Sequence, residues 1–377
     1  MIPGALLEAA GAERIWMRNS LRALVEQESP SDDRRSVNAA VALVEDLAGT
    51  LGLRAKRYVS KSFGDVLELS LTPRSGQKPV LLLGHLDTVW PLGTLVKMPW
   101  REAKGRYWGP GVLDMKAGVV MALAALRVLQ KLNLERNVIL LLNSDEEVGS
   151  TYSRPITERL AKRSAAVFVL EPAQGLAYKT ARKGVGNYRV EVTGIASHSG
   201  VNFEEGHSAI VELSRLVEMI SEFTDLRRGL TVNCGVIAGG TRSNVIAEKA
   251  YAEVDVRIAR ASDAARVERL FRRLKVSDRH CKLAITGGMN RPPMERRPGT
   301  VRLFKQARRL AAELGFHLDE AATGGGSDGN FTAALGVPTL DGMGAVGEGA
   351  HAAHESVLLE HLAPRTALLA AMIATTQ

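Results

Sequence analysis

The stretch Asn137 to Ser150, NVILLLNSDEEVGS, constrains the fold of this chain more than any other. Its run Val138 to Leu142 contains nothing polar, so it reads as a strand buried on both faces. Strands of that kind belong to α/β sheets covered by helices, and such sheets present ligand sites at their carboxyl ends. Here the run stops in three adjacent acids, Asp145, Glu146 and Glu147, with Gly149 just beyond. Three crowded carboxylates repel one another, and a nearby cation relieves them. Taken alone, the acids read more simply as the solvated first turn of a helix, where negative charge meets the positive end of the dipole.

The pattern recurs along the chain. PVLLLGHLDTV, from Pro79, forms a second buried strand whose end carries His85 and Asp87. Residues two apart on a strand share a face. That suits a metal-bound imidazole whose other nitrogen is held by a carboxylate, although a strand-end histidine also serves structure alone. GPGVLDMKAG, 109 to 118, makes a tight loop, after which Met115 to Leu132 reads as a helix. Asp114 sits at that junction, where a helix N-cap is the plain alternative. A further strand, Ala166 to Leu170, runs into Glu171 and Pro172. Several buried strands, or the loops after them, therefore end in His, Asp or Glu, a repetition that chance on a surface does not favour.

At 377 residues the chain is long enough for two domains. From about Lys183 the texture changes to half-buried strands and helices in the order β-α-β-β-α-β, a split βαβ sandwich. After Asn290 the α/β texture returns, with a helix at 302 to 314, a short strand at 337 to 340 and a terminal helix. The expected architecture is α/β: residues 1 to 182 and 291 to 377 form a discontinuous domain with a mostly parallel sheet, and 183 to 290 form an inserted α+β domain.

Lys and Arg outnumber Asp and Glu by 49 to 41, which gives a net charge of +8 and a pI near 9.6. The basic residues are scattered, and the densest run, Arg266 to Lys275, interleaves apolar residues at helical spacing. That is a solvated helix face, not a phosphate track, so nucleic acid is not the expected partner. A basic balance also suits an acidic substrate. Cys234 and Cys281 lie far apart with no CxxC, and read as buried core thiols in a reducing compartment. The N-terminus lacks a basic head with an apolar stretch, and Ala117 to Leu126 is too short to span a membrane. The expected location is cytoplasmic.

Three letter matches are rejected on context. Gly325 to Gly329, GGSDG, matches the nucleophile elbow, but HLDEAAT before it is a poor strand. Gly342 to Gly347, GMGAVG, matches a dinucleotide fingerprint with no βαβ unit around it. Ser197-His198-Ser199 is adjacency in sequence, not triad geometry.

Together, HLDTV at 85 to 89, GPGVLDMKAG, DEEVGS at 145 to 150 and LEP at 170 to 172 resemble the two-zinc exopeptidases and deacylases. That family includes carboxypeptidase G-type glutamate carboxypeptidases, aminoacylases, and acetylornithine and succinyl-diaminopimelate deacylases. The likeness continues through GIASHSG and GGTRSNVIAE to His351 and Glu355, so it covers nearly the whole chain. It implies that His85, Asp114 and Glu171 hold one zinc, with Asp87 orienting His85. Asp114, Glu147 and His351 hold the second, and cobalt or manganese are possible substitutes. It further implies Glu146 as general base, dimerisation through the inserted domain, and His198 stabilising the oxyanion across the dimer. Asn244, Arg291, Gly325 and Gly326 match positions that hold the substrate's carboxylate. Arg257 is a further candidate, with an ion-pair partner as its plain alternative. The family usually has Asn or Asp before the closing Glu, and here His354 stands there, which leaves His351 and His354 as competing ligands. His207 has no assigned role beyond a helix start, and Asp145 none beyond a local cap.

The expectation is an amide hydrolase acting beside a free carboxylate, glutamate-carboxypeptidase-like. An N-acyl amino acid deacylase would use the same machinery. A non-catalytic binding module of the same fold has no need of Glu146, and a nucleic-acid binder rests on pI alone.

Overall fold

The structure is a computed structural model and describes residues 3–74 and 76–377. The chain forms two compact units. The first runs to Ala181 and resumes over Arg296–Ala322 and Ser327–Gln377; the second takes Arg182–Glu295 and Thr323–Gly326.

The first unit is built on a six-stranded sheet in the order Arg54–Tyr58, Val66–Leu71, Val138–Asn143, Val80–His85, Ala166–Val169, Thr339–Leu340. The last four strands pair in parallel and the first two antiparallel. The central strands are apolar throughout because both faces are covered. Val80, Leu82, Leu140 and Leu142 join the large core on one face, with helices Ala117–Lys131 and Leu359–Thr375. Leu81, Leu83, Ile139 and Leu141 join a smaller core on the other, with Ile156 and Leu160 of Arg154–Arg163. Period-two alternation thus distributes one apolar run between two cores.

Parallel pairing puts the carboxyl ends of Val80–His85 and Val138–Asn143 side by side, with His85 opposite Asn143. The turn after each strand therefore opens on the same edge. Ala117–Lys131 starts hard against that edge: a Cβ on Gly118 would lie 2.1 Å from the Leu170 carbonyl oxygen. A Cβ on Gly344 would approach the same oxygen to 2.2 Å, and the Gly344 N–H donates to the Glu171 carbonyl at 2.9 Å. Two glycines thus admit the backbone that presents Glu171, and the GMGAVG run packs there as a structural segment.

The second unit is a four-stranded antiparallel sheet ordered Thr231–Gly239, Lys249–Ile258, Gly184–Thr193, Lys282–Arg291, with helices Ala209–Ser221 and Ala264–Arg273. Its own core includes Tyr188 stacked on Phe271. The βαββαβ order is the one expected, and the architecture as a whole is α/β with a mostly parallel sheet and a separate antiparallel α+β unit.

Several local expectations are corrected. The helix after GPGVLDMKAG begins at Ala117, with Lys116 in the N-cap position and no side-chain capping bond, so Asp114 is no N-cap; it stands in a tight irregular turn, followed by a cis peptide bond. Asp145, Glu146 and Glu147 lie in a turn and not in a helix, which begins only at Arg154. Asp319–Thr323 is a strand, paired with Ala177–Arg182, although short and largely exposed. Cys281 is buried but Cys234 only half-buried, because it lies on an edge strand. Among the described residues no helix is long and apolar enough to cross a membrane.

Candidate metal centre

Seven of the residues singled out in sequence converge at the carboxyl edge of the large sheet. His85 ends its strand, and its Nδ1 lies 2.9 Å from the backbone carbonyl of Asp87. A carbonyl only accepts, so Nδ1 carries a hydrogen, and it is Nε2 that would present a lone pair to a cation once the ring is neutral. The carboxylate of Asp87 is farther, with Oδ1 at 3.5 Å. Asp87 thus holds the imidazole from two sides, its main-chain carbonyl closest and its carboxylate within ion-pair reach. The carboxylate also accepts from Ser31 Oγ at 2.7 Å and from the N–H groups of Glu146 and Glu147 at 3.2 and 3.1 Å. It therefore positions the acidic turn, a role that spacing within HLDTV does not signal.

Asp114 lies between two imidazoles. Its Oδ1 is 3.3 Å from His85 Nε2 and its Oδ2 is 3.3 Å from His351 Nε2. Glu171 Oε1 stands 3.8 Å from His85 Nε2, and Glu147 Oε1 stands 3.3 Å from His351 Nε2. Ligand atoms of His85, Glu146 and Glu171, and likewise of His85, Asp114 and Glu147, fall within 4.8 Å of one another. Of the two closing histidines it is His351 that faces the acids, from a backbone in the left-handed region at φ 61°. His354 is exposed.

The electrostatics describe a site short of positive charge. Burial disfavours a charged His85, but Asp114, Asp87 and Glu146 outweigh it and hold its pKa well above the ordinary value. Asp114 and Glu147 raise His351 to about 10. Burial opposes ionisation of Asp114, yet His351 and His85 keep its pKa below the usual range. Asp114 Oδ1 and Glu147 Oε1 are buried with no hydrogen-bond partner among the described residues. Imidazole nitrogens and carboxylate oxygens at these separations are a hard-to-borderline donor set that fits zinc-type cations.

Glu355, recognised in sequence only as part of a closing motif, proves to be a buried strut. Its Oε1 accepts from the N–H groups of Leu113 and Asp114 at 2.8 and 3.0 Å. Its Oε2 accepts from the Gly111 N–H and the Trp90 indole, each at 2.8 Å. The loop that carries Asp114 is thereby tied to the segment that carries His351. Asp145 has the local role expected: Oδ2 accepts from the N–H groups of Tyr152 and Ser153 at 2.7 and 3.3 Å. Ser327 of the GGSDG run is buried and donates to Asp341 at 2.6 Å, with no nucleophile's exposure.

The remaining candidates belong to the second unit. His198 is exposed, and its Nδ1 accepts from the Gly200 N–H at 3.1 Å, which leaves the hydrogen of the neutral ring on Nε2. Asn244 is exposed, and its carbonyl accepts from the Ser199 N–H at 3.1 Å. Arg291 is buried at the end of its strand, where a Cβ on Gly326 would come within 2.9 Å of its Cδ. The carbonyls of Gly325 and Gly326 accept from Arg182 at 3.3 and 3.2 Å. Arg257 is ion-paired with Asp255 at 2.8 Å, the plainer of its two readings. His207 precedes the helix capped by Ser208 and pairs with Asp278 at 2.6 Å.

A model of peptidase family M20/M25/M40 matches residues 81–375. Carboxypeptidase G2 of Pseudomonas sp. (strain RS-16) is 31% identical over 380 residues, covering 98% of this chain and 91% of that protein. Acetylornithine deacetylase of Myxococcus xanthus is 32% identical over 184 residues, 46% of this chain and 47% of that one. The crystal structure of aminopeptidase PepT from Bacillus cereus superposes with a TM-score of 0.79 at 21% identity, covering 96% and 98% of the two chains, a likeness of fold.

Proposed function

The chain belongs to peptidase family M20/M25/M40, a metal-dependent hydrolase family, and from that premise we propose a di-zinc exopeptidase that removes a carboxylate-bearing amino acid, glutamate first among them, from an amide. The observation that carries the metal reading is the Asp114 carboxylate, one oxygen toward each of two imidazoles at 3.3 Å. In this reading His85, Asp114 and Glu171 would hold one ion, and Asp114, Glu147 and His351 the other. Ions held there would supply Lewis acidity toward a water and the scissile carbonyl.

The chain's own residues do the rest. Glu146 takes the proton of the attacking water and delivers it to the leaving amine. Asp87 fixes the turn that carries Glu146 and Glu147 by accepting from both of their amides. His198, with its hydrogen on an exposed Nε2, is suited to donate to a developing oxyanion. Asn244, Arg291, Gly325 and Gly326 bind the substrate carboxylate, with Arg257 as a secondary cation.

Homodimerisation through the second unit belongs to the same proposal. Thr231–Gly239 is an edge strand with Val236 and Ile237 exposed, and helix Ala209–Ser221 exposes Ile210, Val211 and Met219. An apolar helix face beside an open strand edge favours self-association. A cytoplasmic location accords with two cysteines that form no disulfide.

The resemblance to a full-length carboxypeptidase favours the exopeptidase reading, and the partial match to a deacetylase keeps the N-acyl amino acid deacylase as a second. A hydrolysis screen with added zinc, cobalt or manganese separates them. Folate-like glutamyl amides, N-acyl amino acids and dipeptides are supplied in parallel, and release of glutamate from the first class is expected to dominate. Faster turnover of short-chain N-acyl amino acids would replace the exopeptidase reading with the deacylase.

A further inference from the structure

The opposite end of strand Val138–Asn143 from the metal cluster opens on a cavity of about 240 Å³ in the first unit. Leu71, Leu126, Leu129, Leu134 and Val138 give it an apolar wall, Gln130, Asn133 and Glu135 add polar groups, and Arg136 is its buried cation. Arg136 is only 3% exposed, and none of its three guanidinium nitrogens has a hydrogen-bond partner among the described residues. The acid at the rim, Glu135, is turned to Arg74 at 3.8 Å. Burial and the neighbouring Arg74 both act against the charge on Arg136.

A buried guanidinium with five unsatisfied donors is costly, and native interiors supply such a group with an anion. We propose that this cavity binds a small monocarboxylate with an apolar body, its carboxylate on the Arg136 fork and its hydrocarbon part on the leucines. The planar fork matches a carboxylate in two parallel hydrogen bonds. A single buried cation beside an apolar wall, with the Glu135 carboxylate also lining the cavity, suits one negative charge and a hydrocarbon tail better than a doubly charged, heavily hydrated phosphate. The site uses none of the metal-binding residues, so it stands or falls apart from the hydrolytic reading.

The test is isothermal titration of the metal-loaded protein with isovalerate, acetate and inorganic phosphate. Isovalerate is expected to bind saturably, one per chain, at least 10-fold tighter than acetate or phosphate. Arg136→Met should weaken isovalerate at least 10-fold while the melting temperature holds or rises, because an unpaired buried charge has been removed. Chelating the metal should leave isovalerate binding unchanged, which separates this cavity from the metal centre; binding lost with the metal would overturn the proposal. Absence of saturation in the wild type, equal affinity for phosphate, or undiminished binding in Arg136→Met would each overturn the proposal. If Arg136→Met and Arg136→Gln both fail to fold, the guanidinium is a structural strut and the proposal is equally refuted.

Discussion

Replacing Glu355 with Gln removes one charge and no volume, and the structure says what it should cost. All four groups around the carboxylate are donors: three backbone N–H groups and the Trp90 indole, at 2.8 to 3.0 Å. Burial opposes ionisation, but a protonated acid would turn a hydrogen on one of those donors, so the strut works as a carboxylate. The Gln amide oxygen can keep two donors; its NH₂ must face the other two. Two hydrogen bonds to a buried charge are lost, at about 1.5–3 kcal/mol each, or about 3–6 kcal/mol in total. Part of that falls on the Asp114 loop, so metal affinity should drop about 10- to 100-fold, as for other groups that orient ligands. The assay is chelator competition, run beside melting of the metal-free and metal-loaded forms. A purely structural Glu355 would lower both melting temperatures equally and leave metal affinity within twofold of wild type, and that result would refute the positioning role.

Three other outcomes follow from the site. Glu146→Gln should lower kcat by about 10²–10⁴-fold while metal content by elemental analysis stays at wild-type levels; loss of metal would make Glu146 a ligand and not a base. Stripping the metal should lower the melting temperature in proportion to metal affinity, and binding should weaken as pH falls, since His85 and His351 must shed protons to ligate; a pH-independent affinity would remove them from the ligand set. His198→Ala should lose turnover, and mixed dimers of His198→Ala with Glu146→Gln should regain part of it if His198 serves the neighbouring subunit, whereas no recovery would place its action within one chain.

Much of this protein is legible in one dimension because burial leaves a direct mark on sequence. VLLLGH and VILLLN could be assigned as two-face-buried strands, and the residues that follow them as site candidates, because a parallel sheet needs unbroken apolar runs and opens its ligand edge at their ends. The βαββαβ order of the second unit was equally readable from periodicity. What the residues alone left open was decided by contacts between segments far apart in the chain. His351 and His354 are the same chemistry three positions apart, and only the loop conformation, with His351 at φ 61°, turns one of them to Asp114 and Glu147. Alternation puts Asp87 beside His85, but nothing local tells that its carboxylate also holds the amides of Glu146 and Glu147, 59 and 60 residues away. Glu355 reaches donors more than 240 residues earlier, so no local pattern foretells what it holds. Sequence by itself determined which strands are buried and which residue types gather at their ends, since hydrophobic patterning is local and periodic. The tertiary structure decided which oxygen meets which nitrogen, because hydrogen bonds and ion pairs are set by distances of a few ångströms between parts of the chain that sequence order does not relate.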